Sequence, residues 1–92
     1  MIRTIYSLHE VQGIQMLFIP EESERFFESV RKSIHEEVPV LITESKNAIH
    51  KGSHINLLNV EGRLRFELNE TGLKSDYIKY SKDLLLLAFK SY

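Results

Sequence analysis

Two histidines stand four residues apart, His50 and His54, a spacing that on a helix would aim both imidazoles at one metal ion. Gly52 lies between them and the surrounding stretch reads as a loop. No third ligand stands at a supporting spacing, so both read as surface histidines. Serines occur along the chain, but none sits in a Gly-x-Ser-x-Gly elbow, and no Asp or His is placed by sequence to complete a triad. Glu21-Glu22 and Glu36-Glu37 are adjacent carboxylates on polar stretches and read as solvated faces. Gly13, Gly52, Gly62 and Gly72 are isolated, which leaves no phosphate-cradling loop. Neither a catalytic residue nor a cofactor or metal is therefore expected.

The polar row Arg63, Arg65, Glu67, Asn69 carries more information. It alternates with Leu64, Phe66 and Leu68, so an extended strand puts the two sets on opposite faces. The row reads either as a solvated face stitched by surface ion pairs, each contributing about 0–1 kcal/mol, or as a recognition surface whose Arg forks engage a carboxylate or a partner's backbone.

The elements that position this row follow from local pattern. Ile2 to Ser7 is a short strand, and Leu8 to Gln12 a helical turn closed by Gly13. Ile14 to Ile19 is an apolar run ending at Pro20, as in a buried parallel strand. A helix is expected from Glu21, with Glu21, Glu22 and Glu24 at its positive end and Arg31, Lys32 and His35 at its negative end. Phe26, Phe27, Val30 and Ile34 form its apolar stripe. Val38 to Thr43 is the next strand, with Pro39 at its first position or on an edge. A turn at Lys46 to His50 follows. Two strands then flank Glu61-Gly62, a hairpin within Ile55 to Asn69. A helical turn at Thr71 to Ser75 and a last helix capped by Ser81 complete the chain. Leu84 to Phe89 is apolar all round and so reads as a core helix buried on all sides, with contact to another chain as the alternative. The fold class is α/β: a mixed sheet with parallel strands joined by a crossover helix, then an antiparallel hairpin and a C-terminal helix.

A chain of 92 residues allows one domain. Its net charge of -1, with cations scattered, gives no field or basic run to attract nucleic acid or acidic lipid. Cysteine is absent, which excludes disulfides, thiolate metal sites and cysteine nucleophiles. The longest apolar run, Leu84 to Phe89, is too short to cross a bilayer, and the first residues do not read as a signal peptide.

The hairpin also carries a resemblance. Gly52-Ser53-His54-Ile55-Asn56-Leu57 followed by Glu61-Gly62-Arg63-Leu64-Arg65-Phe66-Glu67-Leu68-Asn69 is similar to the signature of the YfiR-like family: a glycine, an Ile-Asn-Phe strand, a tight turn and an Arg-Phe-Glu-Ile-Asn strand. Met16-Leu17-Phe18-Ile19-Pro20 resembles the family's Leu-Phe-Ile-Pro strand end, and Val38-Pro39-Val40-Leu41-Ile42-Thr43 its Pro-Val-Leu-Thr-Val strand. Leu84, Leu85, Leu87 and Ala88 resemble its closing helix. Leu57 replaces an aromatic, Tyr77 stands where a glycine is usual after the short helix, and Lys82 replaces part of a Ser-Ser cap. Nothing here matches the family's leading strand-helix segment, so the chain reads as the C-terminal half of the domain, with an unpaired sheet edge.

The resemblance implies an exported, non-enzymatic regulator, the best-known kind repressing a membrane diguanylate cyclase. It implies a protein partner, a membrane diguanylate cyclase or a histidine-kinase-type protein, or self-association as a homodimer. Nucleic acid is not implied, and the membrane enters only through the partner. The implied localisation is periplasmic, and the implied partner-binding residues are Asn56, Arg65, Glu67, Leu68 and Asn69. The alternative is a small-molecule sensor with a ligand at the C-terminal ends of the Ile14 to Ile19 and Val38 to Thr43 strands.

Overall fold

A computed structural model of the protein describes residues 2–4, 16–34 and 38–92. Among them, six strands form one sheet in sequence order: β1 (Ile2–Thr4), β2 (Met16–Ile19), β3 (Val40–Thr43), β4 (Ile55–Val60), β5 (Arg63–Leu68) and β6 (Lys90–Ser91). β1 to β4 run parallel, β4 and β5 are antiparallel, and β6 returns parallel to β5. The sheet is thus mixed and the class α/β, as the pattern of apolar runs and hairpin signals implies.

The helix expected from Glu21 forms in two pieces. Glu21–Phe26 winds as a tighter 3₁₀ helix, and the α-helix proper, α1, spans Phe27–Ser33. The change of pitch alters the stripe. Phe27 and Val30 are buried with Leu17, Ile19 and Leu41, and Ile34 packs against them, whereas Phe26 turns out to solvent. With fewer residues per turn, Phe26 falls off the face that Phe27 begins. These five residues form a core on one face of β2 and β3. Met16, Phe18, Val40 and Ile42 occupy the opposite face, half-buried.

Pro39 precedes β3, where its missing N–H costs no ladder bond. The turn expected at Lys46 to His50 is a 3₁₀ helix, Ala48–Lys51. It closes with Gly52 at φ +111, the Gly52 N–H donating to Ile49 C=O and the Ser53 N–H to Ala48 C=O. That pair of bonds requires a left-handed residue, which glycine adopts without a Cβ penalty. The hairpin forms on Glu61 and Gly62, both with positive φ, as a two-residue type I′ connection demands.

α2 (Glu70–Ser75) starts at Asn69, and α3 (Lys82–Leu87) starts at Ser81, whose Oγ accepts from Leu84 N–H. The expectation that Leu84 to Phe89 is buried on all sides fails. α3 has no buried residue, Leu86 is 81% exposed and Leu87 71%. α3 leads directly into β6 at the edge of the sheet, and most of its circumference is left in water. The expected turn at Leu8 to Gln12, the ends of the first two expected strands, and His35, Glu36 and Glu37 lie outside the described residues.

Candidate functional site

Strand register builds the site. Thr43 of β3 is the Cα partner of Asn56 of β4, and Asn56 is the partner of Glu67 of β5. The three side chains therefore form one polar row across the sheet, on the face that Leu41 shares. Thr43 Oγ1 donates to Asn56 Oδ1 at 2.7 Å, and Ser45 N–H donates to the same oxygen at 3.1 Å. Asn56 Nδ2 donates onward to Glu67 Oε1 at 3.1 Å. Ser53 Oγ lies 2.8 Å from Thr43 Oγ1 and also donates towards Ile55 C=O at 3.1 Å.

Thr43, Ser45, Ser53 and Asn56 are all buried, yet no buried side-chain N or O among the described residues lacks a partner. A closed network of this kind fixes strand register, since any slip would strand its polar atoms. Its last member reaches the surface. Glu67 Oε2 accepts from the exposed Tyr92 hydroxyl at 3.1 Å, and this raises the Tyr92 pKa because the phenol must keep its proton to donate.

The five residues singled out in the sequence thus occupy different environments. Arg65 is exposed and Glu67 half-buried at the end of the row. Asn56 lies inside the network. Leu68 has no exposed surface. Asn69 caps α2, its Oδ1 accepting from Gly72 N–H at 2.8 Å while Nδ2 donates to Ser53 C=O at 3.1 Å. Outward-facing chemistry on this face comes from Arg65 and Glu67, with Arg63 beyond them; Asn56, Leu68 and Asn69 hold the hairpin that carries them.

Beside the row, past the C-terminal end of β3, lies an open groove of about 370 Å³. Glu44, Ser45, Lys46, Asn47, Asn56 and Glu67 are among its lining residues. It combines two carboxylates, one ammonium and several amide or hydroxyl groups.

The reading of His54 as a surface histidine is overturned. His54 has no exposed surface. Its Nδ1 accepts from Leu41 N–H at 2.9 Å, and its Nε2 donates to Asp76 Oδ2 at 2.7 Å. Asp76 also receives Arg31 Nη2 at 2.7 and 3.0 Å. The signal for this burial is weak in the sequence, because His54 immediately precedes a strand and Asp76 follows a helix far downstream. His50 is exposed, its ring edge-on to Tyr92.

Burial is the main cause that lowers the His54 pKa, outweighing the upward pull of Asp76. Burial acts upward on Asp76, but the hydrogen bonds from His54 and Arg31 hold its carboxyl below the ordinary value. Both imidazole nitrogens are occupied, so His54 is not free to act as a general base. Among the described residues, no three His, Asp or Glu side chains cluster to hold a metal.

One family model, YfiR/HmsC-like, matches residues 1–89 of the chain. The chain belongs to the YfiR/HmsC-like family. The general role of YfiR/HmsC-like proteins is regulation of diguanylate cyclase signalling rather than catalysis. No curated protein and no solved structure matches the chain. The YfiR/HmsC-like signature residues in the hairpin take on physical meaning here: Asn56 joins strands β3, β4 and β5, Leu68 fills the interior, and Asn69 starts α2.

Proposed function

We propose that this domain is a non-enzymatic regulator that binds a protein partner, a membrane diguanylate cyclase or histidine-kinase-type protein, through the hairpin face bearing Arg65 and Glu67. The observation that carries this reading is the Thr43–Asn56–Glu67 row. It fixes one carboxylate oxygen from inside, while the exposed Tyr92 hydroxyl donates to the other at the surface. A carboxylate held in this way loses little side-chain entropy on binding, which favours recognition. Asn56, Leu68 and Asn69 serve the same surface by positioning it. Periplasmic localisation and homodimerisation belong to the same reading through the family.

A regulator must contact two states of its partner unequally. Co-expression with a membrane diguanylate cyclase, followed by measurement of cyclic di-GMP, tests this. The wild-type chain is expected to lower the nucleotide; Arg65→Glu, which leaves the Asn56–Glu67 bond intact, is expected to weaken the effect without loss of folded protein, and its combination with Glu67→Lys to abolish it. An equally effective double variant would remove the hairpin face from the assignment.

The groove past β3 favours a second reading, a small-molecule sensor. Its Lys46, set beside the Glu44 and Glu67 carboxylates, suits a zwitterionic ligand. A thermal-shift screen of amino acids and small carboxylates, compared with the Lys46→Glu variant, tests it; no shift with any compound counts against it.

A further inference from the structure

The outer edge of β5 is open where it leaves β6 behind. In a two-residue hairpin, Val60 and Arg63 bond to each other, so alternate residues of β5 direct their backbone groups away from β4. The parity is visible further along: Phe66 C=O accepts from Phe89 N–H at 2.8 Å and Leu68 C=O from Tyr92 N–H at 2.9 Å. β6 registers only with Glu67 and Leu68. Leu64 N–H and C=O point the same way, and no backbone group among the described residues reaches them. The side chains on this stretch are all exposed, with Leu64 at 74%.

We propose that this edge accepts an extended acidic segment of a partner protein as an added strand, paired to the Leu64 backbone. The inference rests on the protein-partner reading above and names the partner's chemistry. Arg63 and Arg65 flank Leu64 on one face, and neither is in an ion pair among the described residues. Leu64 and Phe66 lie on the other face. An incoming strand that alternates acidic and apolar residues meets both faces at once. Added strands gain affinity from main-chain bonds and specificity from alternate side chains.

Charge argues against a second copy as the occupant. Two β5 edges pairing antiparallel about Leu64 would set Arg63 of each opposite Arg65 of the other, and like charges directly opposed in a ladder are destabilising.

A fluorescent peptide of alternating Glu and Val, with a Lys–Val peptide as control, tests the proposal on the full chain. The Glu–Val peptide is expected to bind at least about tenfold more tightly than the control, and to slow Leu64 amide exchange about tenfold or more. Leu64→Pro removes only an outward N–H and is expected to weaken binding about tenfold, because proline is tolerated at such an edge position. Arg63→Glu with Arg65→Glu is expected to reverse the peptide preference. Should Leu64→Pro fail to fold, the wild-type exchange of the Leu64 amide decides alone. Absence of peptide binding, binding with no protection of Leu64, or a dimer by light scattering that Leu64→Pro dissolves would each overturn the proposal. If the peptide fails while Arg65→Glu with Glu67→Lys still abolishes the effect on cyclic di-GMP, the inference falls and the broader reading stands.

Discussion

His54 Nε2 lies 2.7 Å from Asp76 Oδ2, joining residues 22 apart and tying the entry to β4 to the end of α2. Arg31 reaches the same carboxylate from α1, so three elements converge on Asp76. The contact orders the interior and has a sign in pH. Leu41 N–H already donates to His54 Nδ1, so a proton arriving there would set two donors face to face.

Acid should therefore lower the stability of the fold over two pH ranges. The folded His54 pKa lies below 6.5, so the unfolded chain takes up the proton first as pH falls through that value, and stability declines. The folded Asp76 pKa lies below 3.8, so its contribution is full above that value and is lost as pH falls towards the folded pKa. Urea unfolding at about pH 7 and about pH 5 should show a lower midpoint at the acid end. His54→Asn keeps an acceptor for Leu41 N–H but does not titrate. It should be less stable at neutral pH and show a flatter pH dependence between the two.

Removing the carboxylate should cost more than removing either partner alone. Asp76→Ala leaves a buried His54 N–H and the Arg31 guanidinium without their acceptor, and a loss of about 3 kcal/mol is expected. Asp76→Asn retains one oxygen and should lose less. Chemical denaturation of both variants checks the ranking.

Tyr77 occupies a left-handed position, φ +58, with 94% of its surface exposed. Its N–H donates to Lys74 C=O and Ile78 N–H donates to Leu73 C=O, the bonding that ends a helix on a glycine. Tyr77→Gly should stabilise the protein by about 1 kcal/mol, because the tyrosine Cβ is strained there. Tyr77→Ala should bring no such gain. Thermal melting separates the two.

The hairpin residues should divide into two groups in any binding assay. Leu68→Ala should destabilise by about 3 kcal/mol through loss of core packing. Asn56→Ala should cost about 2 kcal/mol by leaving Ser45 N–H and Glu67 with a lost partner inside the network. Gly72→Ala should weaken the start of α2, because a Cβ there would stand 2.6 Å from Asn69 Nδ2. Arg65→Glu touches none of these contacts and should leave the unfolding free energy within about 0.5 kcal/mol of wild type while changing binding. If Arg65→Glu unfolds the chain as Leu68→Ala does, the separation of surface from support is wrong.

Local chemistry made much of this protein readable from its sequence. The alternation from Arg63 to Asn69, the Glu61-Gly62 turn, Pro39 before β3 and the Ser81 cap depend on neighbours a few residues away, so period and turn type reveal them. The same holds for the apolar runs of β2 and β3. What tertiary structure alone decided is which polar groups went inside. Asn56 joins Thr43 and Glu67 because three strands align in one register, and no pattern along a single strand encodes that alignment. His54 is buried because Asp76 and Arg31 arrive from distant elements to satisfy it; without them its burial would be too costly. α3 stays exposed because a helix's apolar residues are covered only where a sheet or helix lies against them, and here its place at the rim provides little cover.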